Sequence, residues 1–129
     1  MTFDVKKLPD APAVIGSWYE GFKFMEHGDE YSKEANAVLD EQKEPVFYIL
    51  DMSELHTISV NGVMEVANRG AKVFTSSHHH AMNRETIIVS QKNIIKLAVK
   101  GVASPAFGNM EIKLFETLDE ALNYVKSHP

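Results

Sequence analysis

The chain has no cysteine. Disulfides, thiolate metal sites and cysteine nucleophiles are therefore excluded, in keeping with a reducing compartment. Long apolar runs are missing too: no stretch approaches the ~20 apolar residues that a membrane span needs. Residues 1–12 hold Asp4, Lys6, Lys7 and Asp10 and no apolar run, so the start is read as neither a signal peptide nor an anchor. The expected location is cytoplasmic. Basic charge is in short supply: 13 Lys and Arg stand against 18 Asp and Glu, a formal net charge of −5. The cations are scattered, and the densest groups are pairs such as Lys6 and Lys7. A nucleic-acid partner calls for a basic face and is not expected. Catalytic signatures are also lacking. There is no Gly-x-Ser-x-Gly, no phosphate-binding glycine loop and no metalloprotease helix, and Gly101 and Gly108 stand too far apart for a dinucleotide fingerprint. The chain is read as a non-enzyme without a cofactor.

What is present is an ordinary globular composition, 44% hydrophobic and 24% charged over 129 residues. It suits one domain, residues 1–129, that buries roughly two-thirds of its unfolded surface. Phe3 to Lys7 alternates weakly and suits an edge strand, and Pro9 and Pro12 punctuate the segment after it. Ala13 to Tyr19 is a second strand. Gly21 through His27 is ambiguous between hairpin and loop. Tyr31, Ala35, Val38 and Leu39 fall on one helical face, which predicts a helix over Asp29 to Gln42. Val46 to Met52 is a continuous apolar run ending in an acid, Asp51, the pattern of a buried central strand.

Further helices are predicted over Val60 to Phe74, capped by Ser59, and over Asn93 to Val102, capped by Ser90. Between them Thr75 to Arg84 is a polar loop and Thr86 to Val89 a short strand. Glu111 to Phe115 alternates as another strand. Thr117 to Glu120 has the form of a capping box, followed by Leu118, Leu122 and Val125 on one helical face. Strands alternating with amphipathic helices predict an α/β domain with a mostly parallel sheet of four or five strands and about four helices. The first two strands have no helix between them, so their pairing is expected to be antiparallel.

This element order, in a chain of this length, resembles the STAS domain of bacterial anti-sigma-factor antagonists and, at fold level, the SEC14-like superfamily. The local match is Ile49-Leu50-Asp51-Met52-Ser53 at the end of the central strand, with Ile58-Ser59-Val60-Asn61-Gly62 where the family opens a helix with Asp-Ser-Ser-Gly. The resemblance implies a regulatory, protein-docking module. It also implies a departure. The family's phosphorylated serine falls at Asn61, which has no hydroxyl, so the switch is absent or moved to Ser59.

Asp51, Ser53, His56, Ser59, Asn61 and Gly62 thus form a candidate ligand or partner site, because ligands gather at the carboxyl edge of open α/β sheets and helix starts attract anions. The plainer reading is that Asp51 and Ser53 satisfy the amides of a tight turn. His78, His79 and His80 suggest a metal only superficially. Consecutive residues cannot all face one way and no metal-ligand spacing supports them, so a solvated loop without metal is expected. Trp18, Tyr19, Phe22, Phe24 and Met25 are the densest aromatic cluster. The expectation is an exposed docking patch anchored by Trp18 or Phe22, serving a protein partner or a homodimer, with the rival that these rings simply roof the core. The alternative is a carrier with an apolar groove for a small molecule or lipid near Phe22 to Met25.

Overall fold

The computed structural model describes residues 2–55, 77–102 and 112–128. Five strands are present: β1 (Phe3–Lys7), β2 (Ala13–Trp18), β3 (Val46–Asp51), β4 (Asn83–Val89) and β5 (Ile112–Phe115). Three helices lie among the described residues: α1 (Phe24–Asp40), α2 (Asn93–Val102) and α3 (Leu118–Lys126). The strands form one sheet in chain order, β1-β2-β3-β4-β5. β1 and β2 pair antiparallel, and every later pair is parallel. The helix expected over Val60 to Phe74 falls outside the described residues.

β3 takes the centre because every residue from Val46 to Asp51 is apolar or shielded, and all are buried. Its side chains alternate between two cores. Val46, Tyr48 and Leu50 join Phe3, Val14, Trp18, Tyr31, Ala35 and Leu39 on one face, with Ile95 of α2. Phe47 and Ile49 join Ala13, Ile15, Ile87 and Val89 on the other, under Ala121 and Val125 of α3. Strand order follows chain order, so crossovers of one hand place α1 and α2 on the same face. β1 occupies the edge, and its exposed Lys6 and Lys7 suit an edge strand. The Lys7 ammonium closes the hairpin by donating to the carbonyls of Leu8 and Ala11 at 2.8 and 2.9 Å.

α1 starts earlier than its periodicity predicts, at Phe24 and not Asp29. Lys23 stands at the cap with no side-chain acceptor of its own. His27 Nδ1 supplies the acceptor from inside the first turn, taking the Lys23 amide proton at 2.9 Å. A cap provided from the fourth residue onward leaves no Ser, Thr, Asp or Asn at the boundary to announce it. β4 likewise starts at Asn83, three positions before the predicted strand. The register slips between Val46 and Phe47, which face Asn83 and Glu85. Such a bulge breaks the alternation that marks a strand in sequence. At α3 the expected cap is present: Thr117 Oγ1 accepts the Glu120 amide proton at 3.2 Å, and its own proton goes to the Glu120 carboxylate at 3.1 Å. Ser90 acts slightly differently from an N-cap. Its hydroxyl accepts from the Lys92 amide at 3.1 Å, shaping the turn that precedes α2.

Candidate functional site

The carboxyl edge of β3 carries the sequence match. Asp51 is buried at 8% exposure. Its Oδ1 accepts the Ser53 amide proton at 2.9 Å, and the Leu55 amide returns to the Met52 carbonyl at 3.1 Å. Met52 stays tied to the sheet through Val89, its amide donating to that carbonyl at 2.9 Å. Met52 and Leu55 are buried, whereas Ser53 and Glu54 are exposed. The geometry is an Asx turn with Ser53 and Glu54 at its exposed tip. Ser17 of β2 lies opposite Asp51 in register, and Ser90 follows β4 at the same edge, buried, with its amide on the Phe115 carbonyl at 3.0 Å. Short polar side chains therefore mark this edge. His56, Ser59, Asn61 and Gly62 fall outside the described residues.

Trp18 and Phe22 are placed differently from the expectation. Both are buried, at 4% and 8% exposure. Their rings stack with centroids 4.2 Å apart and an angle of 14°. Tyr31 meets Trp18 edge-on at 5.5 Å, and Phe3 meets Phe22 at 6.1 Å. The exposed aromatic anchor is thereby corrected to a roof over the core. Two features cause it. The early start of α1 brings Tyr31 down onto β2. Gly21, with φ of 91°, adopts a backbone that L side chains rarely take and turns Phe22 back under Trp18.

Tyr31 also shows why Gly16 interrupts a strand. A Cβ at Gly16 would lie 2.8 Å from Tyr31 Cζ and closer still to its hydroxyl. The space is needed because the Tyr31 and Tyr48 hydroxyls bond to one another in the core. Burial raises the pKa of both phenols well above the ordinary tyrosine value, and the bond from Tyr31 partly offsets this at Tyr48. Nothing in sequence links positions 16, 31 and 48. Only the packing of α1 on the sheet does.

The histidine run is likewise not a solvated loop. The His78 ring is half-buried, with Nδ1 2.8 Å from the Thr86 hydroxyl. That hydroxyl also accepts from Asn83 Nδ2 at 2.9 Å. The Met82 amide donates to His80 Nδ1 at 3.0 Å, so the ring proton sits on Nε2 and points at Asp40, 2.6 Å away. Ser77 Oγ donates to Asn36 Oδ1 at 2.9 Å. These bonds clasp the second half of α1 to the start of β4. His79 alone of the three is exposed. Among the described residues no group of three or more His, Cys, Asp or Glu is placed to hold a metal.

Burial, and then the neighbouring His79, lower the His78 pKa below its ordinary value of 6.5. The folded state thus binds fewer protons at this ring than the unfolded chain does, and stability falls as pH drops through 6.5. The melting temperature is expected to decrease between neutral and mildly acidic pH, and His78→Asn, which keeps an acceptor near Thr86, should flatten that slope. An unchanged slope in the variant would assign the acid sensitivity elsewhere.

A family model described as SpoIIAA-like matches residues 23–126 of the chain. None of the curated proteins matches the chain in sequence. Among solved structures, the chain is similar to an uncharacterized protein of the DUF3478 family, with a SpoIIAA-like fold, from Shewanella loihica PV-4. That likeness has a TM-score of 0.59 at 16% identity and covers 95% of this chain and 91% of the other.

Proposed function

Because the chain belongs to the SpoIIAA-like family, we propose that it is a non-catalytic regulatory module that docks to another protein through the turn after β3. The supporting observation is the Asx turn. The Asp51 carboxylate is used to hold the Ser53 amide, and Ser53 and Glu54 are exposed while Asp51 itself is shielded. The departure at Asn61 removes the hydroxyl that the related STAS switch modifies, so the module acts without that switch or with it moved to Ser59. Moving the phosphate to Ser53 is not expected, since a dianion there would face the Asp51 carboxylate. The carrier alternative needs room beside Phe22. That ring is already occupied by its stack on Trp18, and docking is the better reading.

Immobilised wild-type chain and Asp51→Ala, both checked for folded circular dichroism, should be compared for capture of protein from host extract. A stoichiometric partner held by wild type and lost by the variant is expected. Equal capture by both would move the docking surface away from this turn. Native mass spectrometry showing a retained small molecule and no protein would favour a carrier. Stoichiometric phosphate on Ser59 after incubation with extract and ATP would show a relocated switch, and phosphate on Ser53 instead would show that the match to the family's switch is misaligned.

A further inference from the structure

α2 presents an unusual outer surface. Leu97 is 67% exposed, the large hydrophobic side chain most open to solvent among the described residues. Exposed Lys100 lies three residues beyond it on the same side of the helix, and Lys96 next to it reaches Glu116 at 2.9 Å. The helix itself carries no acid. An apolar knob therefore stands beside an exposed cation. α1 presents the complement. Glu34, Ala37 and Glu41 are exposed at spacings of three and four residues, which places them on one stripe. Ala37 is the low point between the two carboxylates. Lys33 flanks the stripe as its opposing charge.

We propose that α2 of one copy docks antiparallel on α1 of a second copy, with Leu97 over Ala37 and Lys100 facing Glu34. The spacing agrees. At about 1.5 Å rise per residue, Lys100 and Glu34 each lie ~4.5 Å along the axis from the central pair. Antiparallel helices also set opposite dipole ends side by side. A second copy fits better than an anionic membrane for two reasons. One leucine offers little to insert, and a chain of net charge −5 is repelled as a whole by such a surface. One helix-on-helix contact buries less than the ~800 Å² per partner of a standard interface, so the association is weak and salt-sensitive. This inference names a partner within the docking reading and rests on that reading for its purpose.

Sedimentation of the full chain over a wide concentration range, at low and high salt, tests it. Wild type should associate with rising concentration, and less so at high salt. Lys100→Glu and Glu34→Lys should each weaken self-association roughly tenfold or more by setting like charges opposite each other. An equal mixture of these two variants should associate again, because each mixed contact then joins opposite charges. Leu97→Asp should remain monomeric while keeping its circular dichroism. Monomeric wild type at every concentration, or association indifferent to the reversals, would overturn the proposal. Wild type that binds phosphatidylserine vesicles without self-association would assign α2 to a membrane surface instead. None of these failures touches the turn after β3, whose test is the loss of partner capture in Asp51→Ala.

Discussion

Gly16→Ala is expected to destabilise the domain by several kcal/mol, although alanine is otherwise the mildest change a glycine can undergo. The new methyl group would stand 2.8 Å from Tyr31 Cζ and still nearer its hydroxyl, and Gly16 is backbone of an interior strand paired on both sides. The strand cannot recede, so the ring must move. Forced overpacking costs about 1–3 kcal/mol. Displacing Tyr31 also parts its hydroxyl from that of Tyr48, and a buried polar group left without its partner costs about 1–3 kcal/mol more. Urea unfolding should show the loss as a lower midpoint with an unchanged slope. The cause can be isolated with a second substitution. In a Tyr31→Leu background the obstructing ring is gone, and Gly16→Ala should then cost much less. Equal costs in both backgrounds would show that Tyr31 does not rest on Gly16.

Phe22→Ala is expected to cost about 3–5 kcal/mol, the range for removing a buried aromatic side chain. Phe22 is 8% exposed, stacks on Trp18 and meets Phe3 and Tyr31 edge-on. Its loss would leave a cavity beneath Trp18, whose neighbours are fixed in β1, β2 and α1 and cannot collapse into it. Trp18 fluorescence offers a local reading, because water reaching the indole should shift its emission to longer wavelength. A folded variant with native stability would return Phe22 to the surface and restore it as a docking anchor.

The two aromatic positions also mark where sequence reasoning stops. Val46 to Leu50 announces a central strand because five apolar residues in a row need cover on both faces, and the weaker alternation of Phe3 to Lys7 announces an edge. The Thr117 cap is legible because donor and acceptor sit three residues apart. Elements whose signals are local are therefore predictable with nearly the right bounds. Burial of Trp18 and Phe22 is not local. It depends on a helix start capped by His27 from within, on the positive φ at Gly21 and on the absent side chain of Gly16. Each is ordinary alone, and their meaning comes from α1 crossing the sheet. The histidines mislead for the same reason. As neighbours in sequence they resemble a solvated run, yet His78 and His80 are used separately, by Thr86 and by Asp40. Asp51 and Ser53 are legible as a pair, since an Asx turn is made by residues two apart. Ser59, Asn61 and Gly62 rest on their sequence match, and His56 on its place in the loop between the two matched stretches.

Strand order that follows chain order has a kinetic consequence. Each strand after the first pairs with the strand that precedes it along the chain, so no strand has to be inserted between two already in place. The sheet can grow by addition at one edge, beginning with the β1–β2 hairpin and continuing as synthesis proceeds from the N-terminus. Each addition closes only the loop or helix just made, which keeps the entropy lost per closure small. Sequential pairings hold contact order low for a mixed sheet. Each nascent edge is then covered by the next strand to arrive, which shortens the time for which it is open to another chain.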